Sequence, residues 1–155
     1  MSVTYRDKKY YMTDAVKINR EAVIPLEEHT HDFLEIVYII KGKMVHCVDG
    51  KEYAVRHGDM LMINYNQTHS AKGIAGEYFN ILIKPEYINS NLDDRQNAFS
   101  LLNLKEFEDF RKIVSPENQV VHFSAEEQAY LEGIILYSEK ELDQLISLGN
   151  HENGP

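Results

Sequence analysis

Hydrophobic and polar positions alternate in short runs over the first half of the chain, and this pattern predicts β-strands. Each run holds β-branched or aromatic residues and ends at residues that are typical of turns. Many short strands separated by turns favour an antiparallel sandwich or barrel. Asp49-Gly50 predicts a tight hairpin, because a type I′ turn needs positive φ at both central residues. The strands are predicted at residues 15–18, 33–42, 43–48, 51–55, 60–64, 68–73 and 77–84.

After Pro85 the spacing of the hydrophobic residues becomes helical. Residues 94–114 are predicted to form one or two short helices. Ser124 and Glu127 make a capping box, which predicts a helix that continues to about residue 147. One stripe of this helix serves equally to pack on the barrel or to pair with a second copy. The stripe consists of Leu131, Ile134, Ile135, Ser138, Leu142, Leu145 and Ile146, with Glu132, Glu139 and Lys140 facing away.

Composition and charge limit the classes of function that we expect for this chain. A length of 155 residues predicts one domain, and the net charge is −9. A domain that binds nucleic acid usually presents a basic face, so we do not expect this chain to bind it. Cys47 is the single cysteine, which rules out an intramolecular disulfide. The N-terminus is polar and the apolar run at 36–40 is too short to span a bilayer, so we expect a cytoplasmic protein without membrane association.

Residues 29–35 read HTHDFLE and hold the strongest candidate chemistry. Alternate side chains of a strand point to one face, so His29, His31 and Glu35 should lie together among apolar neighbours. Burying such groups is costly unless they are hydrogen-bonded, paired or metal-bound. His69 follows a predicted strand and a loop, and it can face the same cluster. Three histidines and a glutamate suit a divalent transition metal, and a hydrogen-bonded polar cluster that contacts a ligand is the alternative.

Other polar residues are weaker candidates. Tyr78 and Asn80 share one face of the last predicted strand, where a buried amide needs partners that a bound ligand can supply. Tyr65, in the loop before His69, is placed to cover the mouth of such a pocket. Routine packing is the alternative for all three. His46 is predicted to be a surface or half-buried residue. No phosphate-binding loop or nucleophile motif is present in the sequence.

The spacing H-x-H, then Glu35, then Gly42 resembles the first cupin motif, and Gly58-Asp59 followed by His69 resembles the second. More narrowly, residues 29–70 resemble the sensor domain of AraC-type bacterial transcription regulators. The resemblance covers roughly residues 14–84. It departs from the enzymatic cupins at residues 64–67, where those proteins often carry a proline.

The resemblance implies a mainly β fold, a cupin (double-stranded β-helix or jelly-roll) barrel followed by a C-terminal helical appendage. It divides the chain into an N-terminal arm at 1–13, a barrel at 14–85, a helical dimerisation or linker segment at 86–148, and a flexible tail at 149–155. It further implies a homodimer formed through the helix 124–147. In that family a separate helix-turn-helix domain, which this chain lacks, reads DNA.

The implied function is sensing of a small-molecule effector, often a sugar, without a required cofactor. Effector binding would shift the arm and the helices between two arrangements. The rival is a metal-dependent cupin enzyme of the isomerase or dioxygenase type, in which His29, His31, Glu35 and His69 hold Zn, Ni, Mn or Fe. A third alternative is a structural dimerisation module whose barrel is filled with side chains. The predicted effector contacts are His29, His31, Glu35, Tyr65, His69, Tyr78 and Asn80.

Overall fold

The computed structural model describes residues 3–6, 8–22, 25–64, 66–84, 86 and 119–151, which fall into two units divided after His122. The first unit is a β-structure and the second holds one helix. The helices predicted at 94–114 lie outside the described residues, as does Tyr65. The elements are β1 (Val3–Arg6), β2 (Lys9–Met12), β3 (Val16–Ala22), β4 (Leu26–His31), β5 (Leu34–Val48), β6 (Lys51–Arg56), β7 (Asp59–Ile63), β8 (His69–Ile83), β9 (Val120–His122) and α1 (Ala125–His151).

Two long strands, β5 and β8, form the centre of the sheet. They pair antiparallel along most of their length, and each bends at a glycine. Gly42 and Gly76 lie opposite each other in the register, with φ of 79° and 140°. A Cβ at either position would overlap the backbone of the other strand, so only glycine allows this close approach. The breaks predicted near Gly42 and Gly76 are therefore bends within continuous strands.

The bends allow each half of a long strand to pair with a different neighbour. The first half of β5 pairs with β7 and the second half with β6. In β8 the first half pairs with β4 and the second half with β3. Asp49 and Gly50, with φ of 48° and 81°, form the predicted tight turn between β5 and β6. The result is the predicted mainly β fold, and one helix follows it in the sequence.

Two segments differ from the predicted division of the chain. Residues 3–6 and 9–12, predicted as part of an arm ahead of the first strand, form β1 and β2, and β2 pairs in parallel with β4. Residues 120–122, predicted as part of a helical segment, form β9 on the edge of β7. Both segments are short, and β2 and β9 pair with strands that are distant in sequence. Local periodicity does not contain that information.

The hydrophobic core of the described residues lies between the strands of the first unit, and its larger cluster is formed by side chains on the inner faces of β5, β6, β7 and β8. Inward positions on β5 are odd-numbered before Gly42 and even-numbered after it. The register shift at the bend inserts one residue and so reverses which side chains point inward. The cluster comprises Val37, Ile39, Met44, Val48, Val55, Leu61, Ile63, Ala71 and Tyr78.

Helix α1 begins as predicted. The backbone N–H of Ser124 donates to Glu127 Oε2 at 2.8 Å, and the N–H of Glu127 donates to Ser124 Oγ at 3.3 Å, which completes the capping box. The helix continues to His151, past the predicted end near residue 147. Within the predicted stripe, Ile135 is buried and Ile134 is 45% exposed.

Candidate ligand and metal site

Strand pairing brings three of the predicted residues into a buried cluster. The end of β4 carries His31, the start of β5 carries Glu35, and the start of β8 carries His69. Glu35 Oε2 lies 2.9 Å from His31 Nε2 and 3.3 Å from His69 Nε2. One donor atom from each residue lies within 4.8 Å of the others, so these three residues are arranged to hold a metal ion. His29 is outside this group, although its ring centroid is 4.1 Å from that of His69.

Hydrogen bonds determine how the two β4 histidines present their rings. Nδ1–H of His31 donates to the carbonyl of Phe33 at 2.6 Å, because a carbonyl oxygen only accepts. Nδ1–H of His29 donates in the same way to the carbonyl of Glu27 at 2.7 Å. Each neutral ring therefore carries its lone pair on Nε2. A backbone carbonyl that holds the second ring nitrogen is the usual support of a metal-ligating histidine.

A short contact lies at the centre of the cluster. His31 Nε2 is 2.9 Å from Glu35 Oε2, and because Nδ1–H of His31 already donates to Phe33, either a proton on Nε2 or a bound cation joins the two atoms. The ring nitrogens of His69 are buried and complete no hydrogen bond. The residues present therefore fit a divalent transition metal by donor chemistry and by unsatisfied donor atoms.

Burial and mutual attraction place the cluster in the protonation state that metal binding needs. Burial alone would raise the pKa of Glu35, but the hydrogen bond from His31 and the nearby imidazoles outweigh it and lower the pKa to about 2. Burial lowers the pKa of His69 to about 3, against the attraction of Glu35. At neutral pH the site therefore combines an ionised carboxylate with a neutral imidazole, as metal ligation requires.

A cavity of about 240 Å³ opens beside this cluster. Five predicted residues line it, namely His29, His31, Glu35, Tyr78 and Asn80, and His69 is not among the lining residues. The volume is at the small end of ligand pockets and does not match a barrel filled solidly with side chains. Sequence reasoning missed the remaining lining residues, which are Tyr10, Lys17, Asn19, Glu21, Leu26, Phe33 and Leu82.

Aromatic rings cover the imidazoles on one side of the cavity. Phe33 stacks on His31 with ring centroids 4.2 Å apart, and Tyr10 meets His29 edge-on at 4.7 Å. Tyr10 reaches the site because β2 pairs in parallel with β4, placing it opposite His31 in the register. The sequence KYYM does not alternate between polar and apolar residues, so it gave no signal for the inward position of Tyr10.

The opposite wall offers polar groups to a ligand. Asn80 Oδ1 is buried and has no hydrogen-bond partner. Tyr78 is buried beside it on the same face of β8, and burial together with the charges of Glu35 and Glu21 raises the pKa of its hydroxyl. The hydroxyl therefore stays protonated and can donate, while the amide oxygen can accept. A ligand that offers both kinds of partner would satisfy this wall.

His46 is a correction to the sequence prediction. It is 2% exposed, inside the barrel, and neither ring nitrogen has a hydrogen-bond partner. Its ring is stacked on that of His69 with centroids 6.1 Å apart. The reversal of faces at Gly42 explains the error, because strict alternation from Glu35 would place Cys47 inside and His46 outside. Burial lowers the pKa of His46 to about 4, so it is neutral at neutral pH.

A second polar network holds the loop that delivers His69. Gln119, 5% exposed, donates from Nε2 to Met62 O at 2.9 Å and to Gln67 Oε1 at 2.7 Å. Gln67 Nε2 in turn donates to Asp49 Oδ2 at 2.8 Å. These bonds join β9, β7 and the β5–β6 turn to the loop ahead of His69. The sequence contained no periodic or motif signal for this network.

The fold and the cavity define a cupin-type binding domain. Residues 25–114, more than half of the chain, match the family model of the AraC-like ligand binding domain, and the chain belongs to that family. The HTH-type transcriptional activator RhaR of Escherichia coli (strain K12) is 34% identical over 67 residues. That stretch is 43% of this chain and 24% of RhaR, so the chain matches about a quarter of this curated relative.

Two solved structures share part of the fold. A cupin protein from Bacteroides fragilis is 20% identical, with a TM-score of 0.42, over 47% of this chain and 69% of that one. A predicted oxalate decarboxylase from Thermotoga maritima is 24% identical, with a TM-score of 0.39, over 43% of this chain and 64% of that one. Among the residues that the structure describes, no helix has the length and apolar character needed to cross a bilayer.

Proposed function

We propose that this chain senses a small polar effector for an AraC-type transcription regulator in the cytoplasm, and that DNA is read by a separate helix-turn-helix domain. The family match supports ligand binding, and the cavity is where the effector would bind. One observation carries the proposal: Asn80 Oδ1 is buried, lines the cavity and has no partner. An unpaired buried acceptor costs roughly 1–3 kcal/mol, so a ligand that donates to it gains that much.

The test is binding of small sugars and related polar compounds, measured as a rise in the thermal unfolding midpoint and by calorimetry. Asn80→Leu keeps the side-chain size and removes the acceptor, so we expect at least tenfold weaker binding. Asn80→Asp keeps an acceptor oxygen at the same place and serves as the matched control. Binding that Asn80→Leu leaves unchanged would contradict the proposal.

Dimerisation through the helix 124–147 is the second part of the proposal. Tyr130, Ile134 and Tyr137 are spaced i, i+4 and i+7 along α1 and are 74%, 45% and 65% exposed. This spacing puts them on one side of the helix, where a second copy would cover them. We expect a dimer in sedimentation experiments with the native chain and a monomer with Ile134→Glu. Leu136→Glu, on the other side of the helix and 40% exposed, is the matched control.

A metal-dependent enzyme is the second candidate function, and the buried cluster of His31, Glu35 and His69 favours it. These residues and His69 would hold the ion, which would supply Lewis acidity beside the cavity. Elemental analysis after a chelator-free preparation tests it. About one equivalent of Zn, Ni, Mn or Fe, lost in His31→Ala, would establish the metal site. His31→Ala should abolish turnover in an enzyme but only weaken ligand binding in a sensor.

A further inference from the structure

One wall of the cavity is a row of three polar side chains on β3. Lys17, Asn19 and Glu21 are alternate residues of the strand, so all three point to the same face, and all three line the cavity. Val16 and Ile18, between and beside them, point to the other face. None of the three polar side chains has a hydrogen bond or ion pair among the described residues. Lys17 and Asn19 are half-buried and Glu21 is exposed, so these polar groups are available to a molecule that enters the cavity.

The β3–β8 register places this row opposite the polar groups already described. Lys17 is paired with Leu82, Asn19 with Asn80, and Glu21 with Tyr78. The centre of the wall therefore combines two amides, one of which has the buried, unpartnered oxygen. The two ends carry opposite charges, separated by four residues or roughly 13 Å along the strand. A ligand on this wall meets a cation at one end, two amides and the Tyr78 hydroxyl along the wall, and a carboxylate at the other end.

Charge decides which ligand class fits. Lys17 is the one cation among the described lining residues, in a chain of net charge −9. Of the two lining carboxylates, Glu35 is already bonded to His31 and close to His69, so it is not free to neutralise Lys17. Glu21 lies at the far end, where a carboxylate accepts from hydroxyl groups. An ammonium and a carboxylate of a ligand form a charge-assisted hydrogen bond, the stronger kind.

We propose that the cavity binds a small polyhydroxylated carboxylate, a sugar acid of about one hexose ring, and that Lys17 selects the acid over the neutral sugar. The ligand carboxylate lies at Lys17. Ligand hydroxyls donate to Asn80 Oδ1 and to Glu21. The proposal rests on the proposed function of this cavity as the effector site.

The test compares matched pairs of probes: D-galacturonate with D-galactose, and D-glucuronate with D-glucose. Calorimetry and thermal unfolding give the affinity of the native chain and of Lys17→Met, which removes the charge and keeps the length. Lys72→Met is the control, because Lys72 lies on the outer surface of β8 with its side chain 74% exposed, and its loss changes the net charge equally. Cooperative unfolding of each variant shows that it has folded.

We expect at least one acid to bind at least tenfold more tightly than its neutral partner. Lys17→Met should lower the acid affinity at least tenfold and leave the neutral sugar unchanged, whereas Lys72→Met should alter neither. Acid binding should also weaken as salt is raised. Equal affinity for acid and neutral sugar, or acid binding that survives Lys17→Met, would overturn the proposal.

The remaining outcomes separate this proposal from the effector function. Binding of neutral sugars alone, lost in Asn80→Leu, would overturn the sugar-acid assignment and leave the effector site standing. If none of the four probes binds at 10 mM, the sugar-acid assignment fails, and the effector function then depends on the wider panel of polar compounds.

Discussion

Replacing His46 by leucine should make the protein less sensitive to acid. His46 lies inside the barrel, 2% exposed, with both ring nitrogens unpartnered. Its neighbours in the register are Tyr53 on β6 and Ala71 on β8, so a leucine of similar size enters an environment that is already largely apolar. The substitution removes a buried polar group that no hydrogen bond satisfies, and such a group costs roughly 1–3 kcal/mol. At pH 8 the variant should therefore be at least as stable as the native chain.

The magnitude of the acid effect follows from the pKa of His46, which burial lowers from 6.5 to about 4. Between these values the unfolded chain binds a proton that the folded chain does not, so stability falls as the pH falls through that window. At pH 5 the loss due to His46 is about 2 kcal/mol relative to pH 8, because each pKa unit corresponds to about 1.36 kcal/mol. His69 shifts in the same direction but is present in both proteins, so its effect cancels in the comparison.

The assay is urea unfolding at pH 8 and pH 5 with a chelator present, so that metal binding does not contribute. The free energy of unfolding of the native chain should fall by about 2 kcal/mol more than that of His46→Leu. His57→Leu, at an exposed turn, controls for the removal of one histidine. An equal fall in the native chain and His46→Leu would refute the reasoning, because it would mean that His46 is protonated as readily in the folded state as in the unfolded state.

Three further predictions concern the frame around the site. Gly42→Ala should lower the free energy of unfolding, measured in urea, by more than about 3 kcal/mol or prevent folding, because the added Cβ would overlap the carbonyl of Ala75. Gly50→Ala is the control: Gly50 also has positive φ, but its surroundings are open, so the cost should be only about 1–2 kcal/mol. Gln119→Leu should cost about 2 kcal/mol in the same assay, because its buried amide loses three hydrogen bonds: two that it donates, to Met62 O and Gln67 Oε1, and one that it accepts from the Tyr53 hydroxyl. An unchanged midpoint would show that the network is not stabilising. Ser124→Ala should weaken the start of α1 by about 1 kcal/mol, seen as faster amide hydrogen exchange confined to the first turn of that helix.

The site residues that could be predicted from the sequence are those whose orientation depends only on residues next to them in the chain. Alternation in HTHDFLE places His29, His31 and Glu35 on one face of the chain, and all three line the cavity. Lys17, Asn19, Glu21 and Tyr10 were missed for a different reason. They reach the cavity only because β3 pairs with β8 and β2 pairs with β4. Pairing between distant strands depends on the packing of the whole sheet and leaves no periodic signal in the strands themselves.

The sequence by itself determined the mainly β fold, the Asp49-Gly50 turn and the capping box at Ser124, because backbone preferences and short-range hydrogen bonds specify these features. The tertiary structure decided which side chains of the long strands face the cavity. The bends at Gly42 and Gly76 each insert a residue into the register, and one inserted residue exchanges the inner and outer faces of everything that follows. In β5 this exchange turns His46 into the barrel. In β8 it turns Tyr78 inward after the bend, on the same inner face as His69 before the bend.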